Sequence, residues 1–180
     1  MTSGREGVPL EPNLPPQWAP LKAAVETIFA GKAEAVTVPI VEGVDFVVKR
    51  HPLEDRVFLM ETEWEGIQAI TTIFPASDVR PGAYPGFVPF LPGAWTCYFD
   101  VVGDDGFSIA WSDVSSDHRQ VLLDFLDRGG WQPLLPFPDE LIMPNVDEQL
   151  AFQLEQSVRV VSSVTSAEDP TLTLLHFDLA

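Results

Sequence analysis

Apolar residues recur at two different periods along the chain, and the two periods predict helices and strands respectively. After Pro20 the spacing is helical and ends before Gly31, with the apolar stripe Leu21, Ala24, Val25, Ile28 and Phe29. A second helix is predicted over 116–128, with Ser115 or Ser116 as N-cap, Gly129 and Gly130 as its end, and the stripe Val121, Leu122, Phe125 and Leu126. A short third helix is predicted over 146–156.

Short runs rich in β-branched and aromatic residues predict strands at 35–41, 44–50, 56–64, 67–74, 95–102, 107–113, 158–165 and 172–179. Two-residue turns at 42–43 and 65–66 join the first two strand pairs, and the second turn sets Trp64 opposite Ile67. A three-residue loop at 104–106 is predicted for the third pair, because it gathers the apolar residues of both strands on one face. The order of elements indicates an α+β fold, with a mainly antiparallel sheet of about six to eight strands packed by two to three helices.

Two proline-rich segments interrupt this pattern. Residues 1–17 carry four prolines among small and polar residues, which predicts an extended N-terminal segment before a single α+β domain at 18–180. Residues 75–93 hold five prolines and three glycines, with Tyr84, Phe87 and Phe90 interleaved. Long loops of this kind are commonly functional or packed by their own aromatic residues. We therefore expect this loop, through its three aromatic residues, to be a contact surface.

The charge balance restricts the class of partner. The chain has 27 Asp and Glu against 10 Lys and Arg, a net charge of -17 over 180 residues, while 46% of its residues are hydrophobic. A domain this acidic repels nucleic-acid backbones and anionic membranes, and no direct binding to either is expected. The charge then serves a basic protein, cations or solubility, and a protein is the predicted partner. A lone Cys97 and an N-terminus without a signal-type apolar stretch predict a cytoplasmic protein.

Catalytic chemistry has few candidates in this chain. Asp113, Asp117 and His118 come close together at the start of the second helix, where they fit an acid–base pair or a metal site. Helix capping is the favoured interpretation of the same residues. Cys97 lies on the apolar side of a predicted strand, as a small buried side chain does. No phosphate-binding, zinc or nucleophile motif is present in the sequence, and no cofactor is expected.

An acidic row is the sharpest local feature. Glu61, Glu63 and Glu65 follow period two, so one side of a single strand carries all three carboxylates. The row is either a solvated hairpin tip or a contact for a basic partner, since a cation would relieve the repulsion between the carboxylates.

Three classes of function remain open at this point. The first is a non-enzymatic acidic binding protein that engages a protein partner, in the manner of immunity proteins, chaperones or adaptors, through the glutamate row and the aromatic loop. The second is a small-molecule enzyme that uses carboxylates, with or without a divalent cation. The third is an acidic mimic of DNA, which the scattered carboxylates disfavour because mimicry needs long dense rows.

Overall fold

The computed structural model describes residues 18–41, 43–64, 66–100, 107–139, 148–155, 157–164 and 171–178. These residues form two helices, α1 (Trp18–Phe29) and α2 (Ser116–Arg128), and one ten-stranded sheet. The strands are β1 (Ala35–Val41), β2 (Val44–Arg50), β3 (Phe58–Trp64), β4 (Ile67–Phe74), β5 (Trp95–Asp100), β6 (Phe107–Ser112), β7 (Gln132–Pro133), β8 (Glu148–Leu154), β9 (Ser157–Val164) and β10 (Thr171–Asp178). The predicted N-terminal segment 1–17 lies outside the described residues.

The sheet consists of two antiparallel meanders that meet side by side. Strands β1 to β6 each pair with the next strand in the chain, strands β7 to β10 do the same, and β6 pairs with β10. Its two edge strands contain prolines, Pro39 in β1 and Pro133 in β7. Proline lacks a backbone N–H, and an edge strand tolerates this because one of its sides has no neighbouring strand to bond. The predicted α+β class with an antiparallel sheet is therefore confirmed, with ten strands instead of six to eight.

Each side of the sheet has its own hydrophobic cluster. On the first side, called here the α1 face, helix α1 buries a cluster that includes Trp18, Leu21, Val25, Val38, Val48, Phe58, Ile73, Cys97 and Ala110. On the opposite side, called here the α2 face, α2 and the 75–94 connection bury Val57, Phe74, Tyr84, Leu91, Ile109, Trp111, Leu122 and Leu126. Successive strand residues point to opposite sides, so Ile73 and its neighbour Phe74 belong to different clusters.

Local signals located both helices and most of the hairpins. Helix α2 has the predicted bounds, its N-cap is Ser115, one of the two predicted candidates, and Gly130 follows its end with φ 83°. Strands β3 and β4 pair in the predicted register, with Trp64 opposite Ile67. Gly66 supports that turn with φ 79°, a backbone conformation that costs glycine little.

The predicted register of β5 and β6 is wrong. Cys97 pairs with Ala110 and Tyr98 with Ile109, so odd-numbered residues of β5 share a face with even-numbered residues of β6, the reverse of the three-residue-loop prediction. That prediction assumed that only one side of the hairpin is buried. Both sides are covered here, by α1 on one face and by α2 with the connection on the other, and each takes half of the apolar residues.

The predicted third helix is also wrong, because residues 148–154 form strand β8. This strand pairs along its whole length with β9, from Glu148 opposite Ser163 to Leu154 opposite Ser157. Leu150 and Phe152 pack against the cluster of the α2 face, as alternate strand residues can. Packing and pairing thus override the helix propensity of a segment rich in Glu, Gln, Leu and Ala.

Candidate functional site

The α2 face of strands β2, β3 and β4 is buried at Phe74, and away from that end the described residues leave its side chains at least partly exposed. Its side chains there form three rows, each running across the strands: a first row of Asp45, Glu63 and Gln68, a second of Val47, Glu61 and Ile70, and a third of Lys49, Leu59 and Thr72. None of these nine side chains is buried. On the α1 face of the same strands, Val48, Phe58 and Ile73 are fully buried, and Phe46, Met60, Thr62, Ala69 and Thr71 are half-buried. We call this region the open face.

The first row places two carboxylates side by side. Phe46 and Thr62 are the last pair at this end of the β2–β3 ladder. Asp45 and Glu63, both exposed, are the next residues of the two strands, so continuing the register sets them beside each other. Like charges opposite each other on a sheet destabilise it by up to about 1 kcal/mol. Glu61 of the second row is partly neutralised, since its Oε1 lies 2.7 Å from Lys49 Nζ. The predicted row therefore acquires Asp45 from the neighbouring strand, while Glu65 lies outside the described residues.

The second and third rows add apolar surface next to these acids. Ile70 is 47% exposed, and Val47 and Leu59 are half-buried. Ile70 lies directly opposite Glu61, which in turn lies opposite Val47. Apolar and acidic side chains are thus neighbours on one side of the sheet.

Phe87 of the connection extends the third row onto the next strand. Thr72 of that row pairs with Tyr98 of β5, and the Phe87 ring packs edge-on against the Tyr98 ring with 5.9 Å between centroids. Phe87 itself is 48% exposed. Two separate sequence predictions, the glutamate row and the aromatic loop, therefore meet on the open face.

The other two aromatic residues of the connection hold it in place. Tyr84 is 4% exposed; its hydroxyl accepts a hydrogen bond from Trp111 Nε1 at 3.0 Å and donates one to the Pro89 carbonyl at 3.0 Å. Phe90 packs on Tyr84 with 5.2 Å between ring centroids. Tyr84 and Phe90, predicted as contact residues, thus serve the packing of the connection, and Phe87 is the aromatic residue of the three that faces outward.

Further bonds stabilise the connection internally and tie it to the rest of the fold. The Arg80 guanidinium donates to the Pro85 carbonyl at 2.9 Å, and the Ala83 N–H donates to the Glu54 carboxylate at 2.9 Å. His118 Nε2 lies 2.7 Å from the Pro92 carbonyl oxygen. Phe87 is therefore presented by an ordered segment, which lowers the entropy that a partner would have to remove.

Burial also affects the ionisation of the connection's central tyrosine. Desolvation raises the pKa of Tyr84, while the Trp111 hydrogen bond and the nearby Arg80 charge act in the opposite direction. The hydroxyl therefore remains a hydrogen-bond donor well into the alkaline range.

His118 has a capping role at the start of α2. The Ser115 hydroxyl accepts from the His118 N–H at 3.2 Å, and the Ser115 N–H donates to His118 Nδ1 at 3.1 Å. Since Nδ1 accepts, the ring proton lies on Nε2, which donates to Pro92. Both ring nitrogens are thus engaged in structural bonds.

The two carboxylates predicted beside His118 have separate surroundings. The Asp113 carboxylate pairs with Lys22 Nζ at 3.1 Å, and Asp117 occupies the first turn of α2, where the helix dipole favours an acid. Within the described ranges, no three His, Cys, Asp or Glu side chains are grouped so that they could hold a metal ion.

Lys22 lies at the centre of a cluster of polar and aromatic side chains that the sequence did not predict. Its ammonium donates to the hydroxyl of the buried Ser112 at 2.9 Å and lies 5.8 Å and 5.6 Å from the ring centroids of Trp18 and Trp95. Asp113 completes the cluster with a φ of 63°, which Asp tolerates better than most residues. The cluster links α1 to the end of β6, about ninety residues away in sequence, and no local pattern signals such a contact.

Cys97 is buried, as its position on an apolar strand side predicts. Burial raises the pKa of its thiol, and the positive charge of Lys22 opposes this only in part. The thiol therefore stays protonated at neutral pH, whereas a nucleophilic cysteine needs to be ionised to react.

Neither of the two described helices has the length and apolar character needed to cross a membrane. No family model, curated protein or solved structure matches this chain.

Proposed function

We propose that this protein is a non-enzymatic binding protein that engages a basic protein partner through the open face. The observation that carries the proposal is the side-by-side placement of Asp45 and Glu63 next to exposed apolar surface. A partner that brings a cation to the first row would relieve the repulsion between the two carboxylates and bury Ile70 at the same time. The cytoplasm is the location that goes with this proposal.

The charge of the whole chain supports a basic partner. A net charge of -17 raises the association rate of a cationic protein and lowers that of an anionic one. Among the described residues, the ion pair of the open face joins Lys49 to Glu61 of the second row and does not involve Asp45 or Glu63 of the first. The binding free energy would then combine a salt-sensitive charge contribution with a salt-insensitive apolar one.

A peptide titration tests the proposal directly. The probe is an oligolysine peptide of about 14 residues, long enough to cover the open face, titrated by calorimetry at low and at high salt. The variant Asp45→Asn/Glu63→Gln removes two charges from the face. The matched control Glu26→Gln/Asp127→Asn removes two exposed charges elsewhere, on α1 and α2.

We expect the face variant to bind the probe about fivefold to tenfold more weakly than the control, as the loss of two partner charges implies. High salt should reduce this difference. Equal weakening in both double variants would mean that only the overall charge acts, and the open face would then not be the binding site.

A further inference from the structure

The open face also indicates what shape the partner has. Resting on the function proposed above, we infer that the occupant is an amphipathic basic α-helix that crosses strands β2 to β4. Its apolar stripe packs on Val47, Ile70 and Phe87, and its cationic flank faces Asp45 and Glu63.

The spacing of the rows matches a helix. Neighbouring rows lie about 7 Å apart, because they are two residues apart along the strands. A helix about 10 Å across therefore covers the second and third rows while one flank lies over the first. Asp45 and Glu63 of the first row lie under that flank. Glu61 lies in the second row between Val47 and Ile70, where Lys49 pairs with it.

The length of the apolar stripe fits as well. From Val47 on β2 to Phe87 above β5 the stripe spans three strand spacings, or about 14 Å. That distance is about ten residues of α-helix, or three turns. A partner helix with apolar residues at helical spacing over three turns, and with Lys or Arg along one side, would match the length of this stripe.

An extended partner fits this surface poorly. The middle strands already have neighbours on both sides, β2 with β1 and β3, and β3 with β2 and β4, so their ladders have no free edge. A strand laid on the face would gain no backbone bonds from the sheet, whereas a helix satisfies its own backbone. An amphipathic helix already packs on the other side of this sheet, where α1 shares a buried cluster with Val48 and Phe58.

A second copy of the chain fits poorly for electrostatic reasons. Two open faces packed on each other would bring two first rows of carboxylates into one interface. Like charges placed together in an interface cost affinity, so charge complementarity favours a cationic partner over self-association.

The test compares three synthetic peptides of about 14 residues, or two heptads. The first has Leu and Lys at helical spacing, the second contains the same residues in strict alternation, and the third is oligolysine. We expect the helical-pattern peptide to bind at least tenfold more tightly than either of the others, and to become helical on binding, as measured by circular dichroism.

Two variants connect the binding to the named residues. Ile70→Ser and Phe87→Ala should each weaken the helical-pattern peptide about fivefold or more, with little effect on oligolysine. Leu53→Ser is the matched control, because Leu53 is 87% exposed and belongs to the β2–β3 connection instead of the rows. Ile70 and Phe87 are about half exposed and Leu53 almost fully, so each substitution should lower the melting temperature by a few degrees at most and show that the variants fold.

The outcomes separate this inference from the proposed function. If the alternating peptide binds as well as the helical one, or if Ile70→Ser and Phe87→Ala behave like Leu53→Ser, the helix inference is wrong. The proposed function still stands in that case, provided that Asp45→Asn/Glu63→Gln weakens oligolysine more than its control does. If no basic peptide binds, both proposals fail.

Discussion

Substitution of Tyr84 by Phe tests how the 75–94 connection is held on the sheet. The change removes one oxygen atom and keeps the ring that packs on Phe74 and Phe90 at centroid distances of 5.0 and 5.2 Å. The lost hydroxyl accepts from the Trp111 indole and donates to the Pro89 carbonyl, both at 3.0 Å. Trp111 is fully buried, so water cannot replace the missing acceptor.

The magnitude follows from these contacts. A hydrogen bond contributes about 1 kcal/mol net, and a buried donor left without an acceptor costs about 1–3 kcal/mol. We therefore expect Tyr84→Phe to lower the free energy of unfolding by about 2–3 kcal/mol. At about 2–4 °C per kcal/mol for a chain of this size, the melting temperature should fall by about 5–10 °C.

Urea denaturation followed by far-ultraviolet circular dichroism measures this change without relying on tryptophan fluorescence. A double-mutant cycle with Trp111→Phe isolates the bond itself, and its coupling energy should be about 1 kcal/mol or more. A change below about 0.5 kcal/mol in the single variant, or strictly additive effects in the cycle, would show that the hydroxyl does not hold the connection.

Alkaline pH offers a second measurement on the same residue. The pKa of Tyr84 is higher in the folded state than the ordinary value of 10.0. The stability that the protonated hydroxyl provides is therefore fully present below about pH 10. As the pH rises above about 10, the unfolded tyrosine ionises first and the native state loses stability. The free energy of unfolding of Tyr84→Phe should therefore fall less between about pH 10 and higher pH than that of the native protein.

Three further predictions concern the buried thiol, the helix cap and the lysine cluster. Because the pKa of Cys97 is raised in the folded state, stability should fall as the pH rises above about 8.5, by at most about 1.4 kcal/mol per pH unit. Urea midpoints from pH 7 to 10.5 should show less of this fall in Cys97→Ala, and an equal fall would contradict the assignment. His118→Ala should lower the free energy of unfolding by about 1–2 kcal/mol. His118→Gln should lower it by less, because Gln at this helix position can also accept a hydrogen bond from the Ser115 N–H. Thermal melts that rank the two variants the other way would count against the capping role. Lys22→Met should lower stability by about 1 kcal/mol and Asp113→Asn by less, because the lysine also bonds a buried hydroxyl; a Lys22→Met melt equal to the native one would refute this.

Much of the fold could be predicted because its signals are local. The bounds of α2 follow from Ser115, an apolar stripe and two glycines within sixteen residues, and the β3–β4 register follows from a two-residue turn that contains Gly66. The burial of Cys97 followed from alternation along one strand. In each case the deciding interactions involve residues that are neighbours in the chain.

The failed predictions share a different cause. The register of β5 and β6 depends on whether one or both sides of that hairpin are buried, which is decided by α1 and α2 far away in sequence. Residues 148–154 form a strand because β9 pairs with them and because Leu150 and Phe152 reach the core. Their own composition is compatible with a helix.

The features of the candidate site also fall into those that the sequence predicts and those that depend on tertiary structure. The sequence by itself determined that the chain is acidic, that Glu61 and Glu63 share one side of a strand, and that an aromatic, proline-rich connection follows them. Tertiary structure alone decided that Asp45 lies beside Glu63, that Tyr84 is buried and that Phe87 faces outward over Tyr98. Periodicity along one strand assigns the side of each residue, but neighbours across strands depend on register, and exposure depends on which elements cover the sheet.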